Sequence, residues 1–159
     1  MRQHVPRYFP AREVLTNVWV GSQGDALSNE FFRKHSIRYV INVSKTIPFN
    51  QAHPELDGLR IPVNDDPSEN DNMLNYLPLA VKCVVSAMTN DTTHGCLVHC
   101  LAGQQRSCTV AAAVLIKQHK MTPKQAIQYI QKLKPEAFSP KATFARALDD
   151  YYELITSLN

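Results

Sequence analysis

The chain has no apolar run long enough to cross a bilayer. Its longest, Val110 to Ile116, falls far short of the ~20 residues that a spanning helix needs. No apolar signal core follows Met1, Arg2 excludes the N-myristoylation pattern, and Thr156 to Asn159 form no prenylation box. Cysteine is sparse. Four residues in a chain of this size, without a secretory signal, argue against a disulfide scaffold. A strong charge of either sign is missing too: 17 Lys+Arg stand against 14 Asp+Glu, a net charge of +3. That is too weak to argue for a nucleic-acid partner and compatible with an anionic substrate. Repeats, low-complexity tracts and linkers are also absent. A soluble cytoplasmic protein with access to the nucleus is expected, with no membrane partner. The sequons at Asn42 and Asn90 then have no consequence.

What is present is an ordinary globular composition, 44% hydrophobic and 19% charged over 159 residues. A chain of this size forms one domain and buries roughly 70% of the surface it exposes when unfolded. Residues 1–12 hold three Arg and two Pro and read as an N-terminal arm. Residues 13–159 read as the single folded domain.

Val14 to Val20 reads as a strand closed by Gly21, and Glu30 to His35 as a helix. Ile37 to Val43 is nearly all apolar and β-branched, so it reads as a central strand. Leu59 to Val63 is a third strand, placed at an edge or terminus by Pro62. An acidic loop, Asn64 to Asn72, precedes a helix that carries Met73, Leu77, Val81 and Val84 on one face, with Pro78 expected to kink or restart it. Cys96 to His99 is a fourth strand, and Arg106 to about Lys120 a helix apolar nearly all round. Thr122 with Pro123 and Gln125 starts another helix, and Ser139-Pro140 gives the same signal before a last one. That last helix shows a stripe of Phe144, Leu148, Tyr151, Tyr152, Ile155 and Leu158. The alternation predicts an α/β fold, with a central, mainly parallel sheet of about four to five strands flanked by helices.

The chemistry concentrates in His99-Cys100-Leu101-Ala102-Gly103-Gln104-Gln105-Arg106-Ser107, between a buried strand and a buried helix. A short loop opening a helix turns successive backbone N–H groups toward one centre, and the helix dipole adds positive charge, which makes an anion cradle. The amides of Leu101, Ala102, Gly103, Gln104, Gln105 and Arg106 would line it. Gly103 permits the conformation, and the Arg106 fork grips two phosphate oxygens. Cys100 faces the same centre, where a helix N-terminus and a guanidinium favour thiolate over thiol. A thiolate against a bound phosphate is a nucleophile aimed at phosphorus. Ser107 is placed to hydrogen-bond that sulfur, and His99 to hold the loop. The departing oxygen needs a general acid, for which the acidic loop offers Asp65, Asp66, Glu69 and Asp71.

His-Cys-x-x-Gly-x-x-Arg-Ser is the signature of the cysteine-based protein tyrosine phosphatases, and from about Val14 to Ser157 the chain resembles a small dual-specificity phosphatase. Asn17 to Ser22, Ile37 to Val43 and Ile61 to Asp66 resemble that family's first strand, central strand and general-acid segment. The resemblance implies a dual-specificity catalytic domain over 13–159 acting on phosphoproteins through a phosphocysteine, with no metal and no organic cofactor. It also implies that Cys100 is the nucleophile, Asp65 the acid with Asp66 the runner-up, and Arg106 and Ser107 catalytic. No long insertion builds a deep phosphotyrosine wall, so a shallow pocket admitting phosphoserine, phosphothreonine and phosphotyrosine is implied. None of Leu101, Ala102, Gln104 and Gln105 is charged, whereas phosphoinositide phosphatases of this superfamily often carry Lys there.

Three other readings stay open: an RNA 5′-triphosphatase of the same superfamily, a non-catalytic phosphoprotein-binding module, and a zinc site among His94, Cys96, His99, Cys100 and Cys108. Cys83, Cys96 and Cys108 read as packing residues, any of which is a possible redox partner for Cys100. Lys117, Lys120, Lys124, Lys132, Lys134 and Lys141 read as solvated faces. Monomer and homodimer are equally compatible with the sequence.

Overall fold

The structure, a computed structural model, describes residues 8–158. Five strands form one sheet: β1 (Arg12–Leu15), β2 (Val18–Gly21), β3 (Ile37–Asn42), β4 (Asp57–Arg60) and β5 (Gly95–His99), in the order β1-β2-β5-β3-β4. β1 runs antiparallel to β2, and the other three pairings are parallel, so β5 lies at the centre with β2 and β3 beside it. Alternate residues of β5 serve two cores. Cys96 and Val98 face the larger one, whereas Leu97 joins Val40, Ala26 and Phe32 on the opposite face.

That smaller face is covered by the short helices α1 (Gln23–Ala26) and α2 (Asn29–Lys34). The larger face carries α3 (Asn70–Asn90), α4 (Arg106–His119), α5 (Pro123–Leu133) and α6 (Ala145–Ser157). Every residue of α4 from Ser107 to Ile116 is buried, as a helix without a polar stripe must be. α4 ends at Lys120 in the left-handed conformation (φ 54°). α5 starts with the expected capping box between Thr122 and Gln125.

Several local expectations fail for identifiable reasons. The strand expected over Val14–Val20 is a hairpin, because Asn17 takes φ 62° and turns the chain between β1 and β2. Asn is the residue other than Gly that visits this region most readily. Of the expected third strand only Leu59 and Arg60 are paired. Ile61 still donates its amide to the Asn42 carbonyl at the end of β3 (2.8 Å) but lies beyond β4, and both it and Val63 are wholly buried. β4 is an edge strand, as Pro62 suggested. Pro78 does not restart the helix: α3 runs through it as one helix of 21 residues. A mid-helix proline costs about 3 kcal/mol. Here Leu77, Ala80, Val81 and Val84 are all buried beside it, at roughly 1.5–3 kcal/mol for each large side chain.

Ser139-Pro140 is a cis peptide rather than a helix start, and α6 begins only after Phe144. Leu158 does not extend the stripe of α6 and is 78% exposed. Lys134 is not on a solvated face. It is fully buried, with its Nζ donating to Glu136 Oε1 (2.8 Å) and to the Pro10 carbonyl (3.2 Å). Of the N-terminal arm, residues 1–7 lie outside the described residues. Pro10 is fastened by Lys134, and Arg12 already opens β1.

Candidate active site

Sheet topology places the chemistry. β5 ends at His99 in the middle of the sheet, and α4 starts at Arg106, so residues 100–105 turn at the carboxyl edge of the central parallel strands, where this fold class binds ligands. Each carbonyl of residues 101–105 has a donor. The Gln23 amide donates to Leu101 O (3.0 Å), Phe9 to Ala102 O (3.1 Å), Phe138 to Gln104 O (2.9 Å) and Thr109 to Gln105 O (2.9 Å). The Cys108 thiol approaches Gly103 O at 3.6 Å. The amides of Leu101 to Arg106 donate no hydrogen bond to any described residue. Six consecutive N–H groups left over while their carbonyls are engaged form an anion nest.

Gly103 sits at φ 76°, and a Cβ on it would lie 2.9 Å from the Gly21 carbonyl carbon and oxygen. A Cβ there would strain the backbone and push the turn off β2. Cys100 is 2% exposed, and its Sγ lies 3.2 Å from the Ser107 Oγ. Arg106 spends one nitrogen, Nη1, on the Val63 carbonyl (3.0 Å), which ties the nest to the acidic loop. Its Nε is buried without a partner among the described residues, a donor left over for a ligand to meet. His99 is fully buried, with Nδ1 3.4 Å from the Cys100 carbonyl. A carbonyl only accepts, so Nδ1 carries the proton. Burial pushes this imidazole down to about 4, which keeps it neutral.

The four acid candidates separate cleanly. Asp66 Oδ1 accepts from the Ser68 amide (2.8 Å), capping the turn Pro67–Glu69, and this bond holds its carboxyl below the ordinary range. Glu69 pairs with Lys45 (2.9 Å), which lowers it likewise. Asp71 pairs with Arg146 (2.8 Å). Asp65 is exposed and makes no hydrogen bond or ion pair with any described residue.

Gln104 and Gln105, expected to contribute amides, also use their side chains. Gln105 is 7% exposed. Its Nε2 donates to Ser139 O (3.1 Å) and Lys141 O (3.0 Å), and its Oε1 accepts from the Thr143 amide (3.1 Å). Gln104 Nε2 also donates to Ser139 O (3.0 Å). These contacts clamp residues 139–143 to the back of the nest. Partners some 35 positions downstream leave no local trace in a sequence.

No group of three or more metal-ligating side chains occurs among the described residues, so the zinc alternative has no cluster to stand on. The four cysteines are free thiols. Burial raises Cys96 to about 12 and Cys108 above its ordinary range, as suits packing residues.

Residues 18–154 match the family model for the dual specificity phosphatase catalytic domain. The chain belongs to this family. Human dual specificity protein phosphatase 16 is 36% identical over 143 residues, covering 89% of this chain but 21% of that protein. Dual specificity protein phosphatase 1 of Arabidopsis thaliana is 30% identical over 133 residues, 84% of this chain and 64% of that one. The chain thus spans about a fifth of the human relative's length. Among solved structures, human DUSP28 superposes with a TM-score of 0.84 at 29% identity, covering 96% of this chain and 99% of that one. The five-stranded sheet flanked by helices is the fold of these phosphatases.

Proposed function

We propose that this chain hydrolyses phosphotyrosine and phosphoserine or phosphothreonine in proteins through a phosphocysteine on Cys100. The nest carries the reading: between Cys100 and the start of α4, six consecutive amides and the buried Nε of Arg106 have no hydrogen-bond partner among the described residues. They suit the three non-bridging oxygens of a phosphoryl group.

The Cys100 thiolate attacks phosphorus in line, forming the S–P bond as the P–O bond to the substrate side chain breaks. Asp65 gives its proton to the departing oxygen. Water then attacks the phosphocysteine and returns a proton to Asp65. As the S–P bond breaks, the Ser107 hydroxyl donates to the leaving thiolate across the 3.2 Å contact. Asp65 suits the acid role because it alone of the four acidic candidates has an uncommitted carboxyl. His99, neutral and buried, holds the Cys100 carbonyl. The loop supplies the positive potential that a metal would, so the reaction needs no metal or organic cofactor. No helix among the described residues is long and apolar enough to cross a membrane, and a cytoplasmic enzyme acting on phosphoproteins is part of the same reading.

The test is phosphate release, without added metal, from a peptide carrying phosphothreonine and phosphotyrosine, with Cys100→Ser as the blank. Loss of both phosphates only with Cys100 present is expected. Turnover by Cys100→Ser, or release confined to triphosphate-ended RNA, would overturn the reading.

A further inference from the structure

The acidic loop is braced by a carboxylate that takes no part in the chemistry above. Glu69 Oε1 accepts from Lys45 Nζ (2.9 Å) and from the Asn64 amide (3.4 Å). Glu69 Oε2 accepts from Asn72 Nδ2 (2.9 Å), which also reaches the Pro62 carbonyl (3.4 Å). Both oxygens of one side chain thus bear on residues 62–64, immediately before Asp65. On the other side Asp66 is fixed as the cap of the following turn. Asp65 stands between two tethered points with its own carboxyl free.

Lys45 is itself rooted in a rigid place. It follows Ser44, whose hydroxyl donates to Asn42 Oδ1 (2.6 Å) and accepts from the Ile47 amide (3.2 Å). Asn42 Nδ2 donates to the Ile47 carbonyl (2.8 Å), and Arg60 Nη1 to the Ser44 carbonyl (3.1 Å). Asn42 and Ser44 are buried. A charge that projects from so fixed a loop gives Glu69 a fixed partner.

We infer that Glu69, steadied by Lys45, is a positioning residue that sets where the Asp65 carboxyl stands over the phosphoryl site. An ion pair whose lysine is 43% exposed adds little stability, so the pair acts on geometry more than on folding. Small misplacements of a reacting group are costly in rate. The inference rests on the proposed acid role of Asp65.

A positioning residue for the acid matters most when the leaving group is poor. The experiment compares phenyl phosphate with p-nitrophenyl phosphate, whose anion departs with little help. Glu69→Ala is expected to lower kcat/KM about tenfold on phenyl phosphate and less than about twofold on p-nitrophenyl phosphate, within the span general acids supply. Lys45→Met, which leaves Glu69 in place, should show the same bias at smaller size. In an Asp65→Asn background Glu69→Ala should cause no further loss, because the residue has nothing left to position. Equal losses on both substrates, or full additivity with Asp65→Asn, would overturn the inference while leaving the acid assignment intact. Absence of any leaving-group bias in Asp65→Asn itself would overturn the acid assignment and the inference with it. If Glu69→Ala fails to fold, Glu69→Gln and Lys45→Met carry the same comparison.

Discussion

Replacing Gln105 by Leu tests how the phosphate nest is held from behind. Leucine keeps most of the side-chain volume and removes all three hydrogen bonds that Gln105 makes to Ser139, Lys141 and Thr143. A hydrogen bond contributes about 0.5–1.5 kcal/mol net, so three bonds bound the loss at about 1.5–4.5 kcal/mol. Two features pull the figure down. The Ser139 carbonyl keeps its bond from Gln104 Nε2, and the contacts are only part-buried, so water replaces some of them. A loss of about 2 kcal/mol follows. With a urea m-value of about 2 kcal/mol per molar, the unfolding midpoint falls by about 1 M with no change in slope. The residue just before the released segment, Phe138, donates its amide to the Gln104 carbonyl, so inhibition by inorganic phosphate should weaken in the same variant. A midpoint shift below about 0.2 M, with phosphate inhibition unchanged, would refute the clamp.

Two further outcomes are expected. His99 titrates near its ordinary 6.5 when unfolded and at about 4 when folded. Between those values the unfolded chain binds more protons, so this residue makes stability rise with pH, by about 3 kcal/mol across the window. Urea unfolding at pH 5 and pH 7 should show that slope, and His99→Asn should lose it. Ser107→Ala removes the hydroxyl 3.2 Å from the Cys100 sulfur, so breakdown of the phosphocysteine should become the slow step. Stopped-flow with p-nitrophenyl phosphate should then show a burst of nitrophenol followed by a lowered steady rate.

The strand–loop–helix that carries the nest was legible because its signals are local. Cys96–His99 is an apolar run, Arg106–Ile116 is apolar nearly all round, and Gly103 marks the turn between them. The same holds for the capping box at Thr122. What stayed hidden depends on partners far along the chain. Lys134 looks like any surface lysine until Pro10, 124 positions away, supplies its second acceptor. Pro78 looks like a break until the burial of α3 outweighs it, and the strand expected over Val14–Val20 runs straight through a turn that Asn17 makes. Among the acidic residues, sequence named four candidates. The family resemblance pointed to Asp65, and the contacts agree: Asp66 caps the turn that follows it, Glu69 and Asp71 pair with Lys45 and Arg146 far along the chain, and Asp65 is free.

The central claim is a covalent phosphoryl group on one sulfur. The most direct test is rapid acid quench during turnover of p-nitrophenyl phosphate, digestion, and mass analysis of the peptide that contains Cys100. The account predicts a mass gain of one phosphoryl group on that peptide, larger in Ser107→Ala and absent from Cys100→Ser. Steady phosphate release with no phosphorylated Cys100 peptide in either the native chain or Ser107→Ala would contradict it.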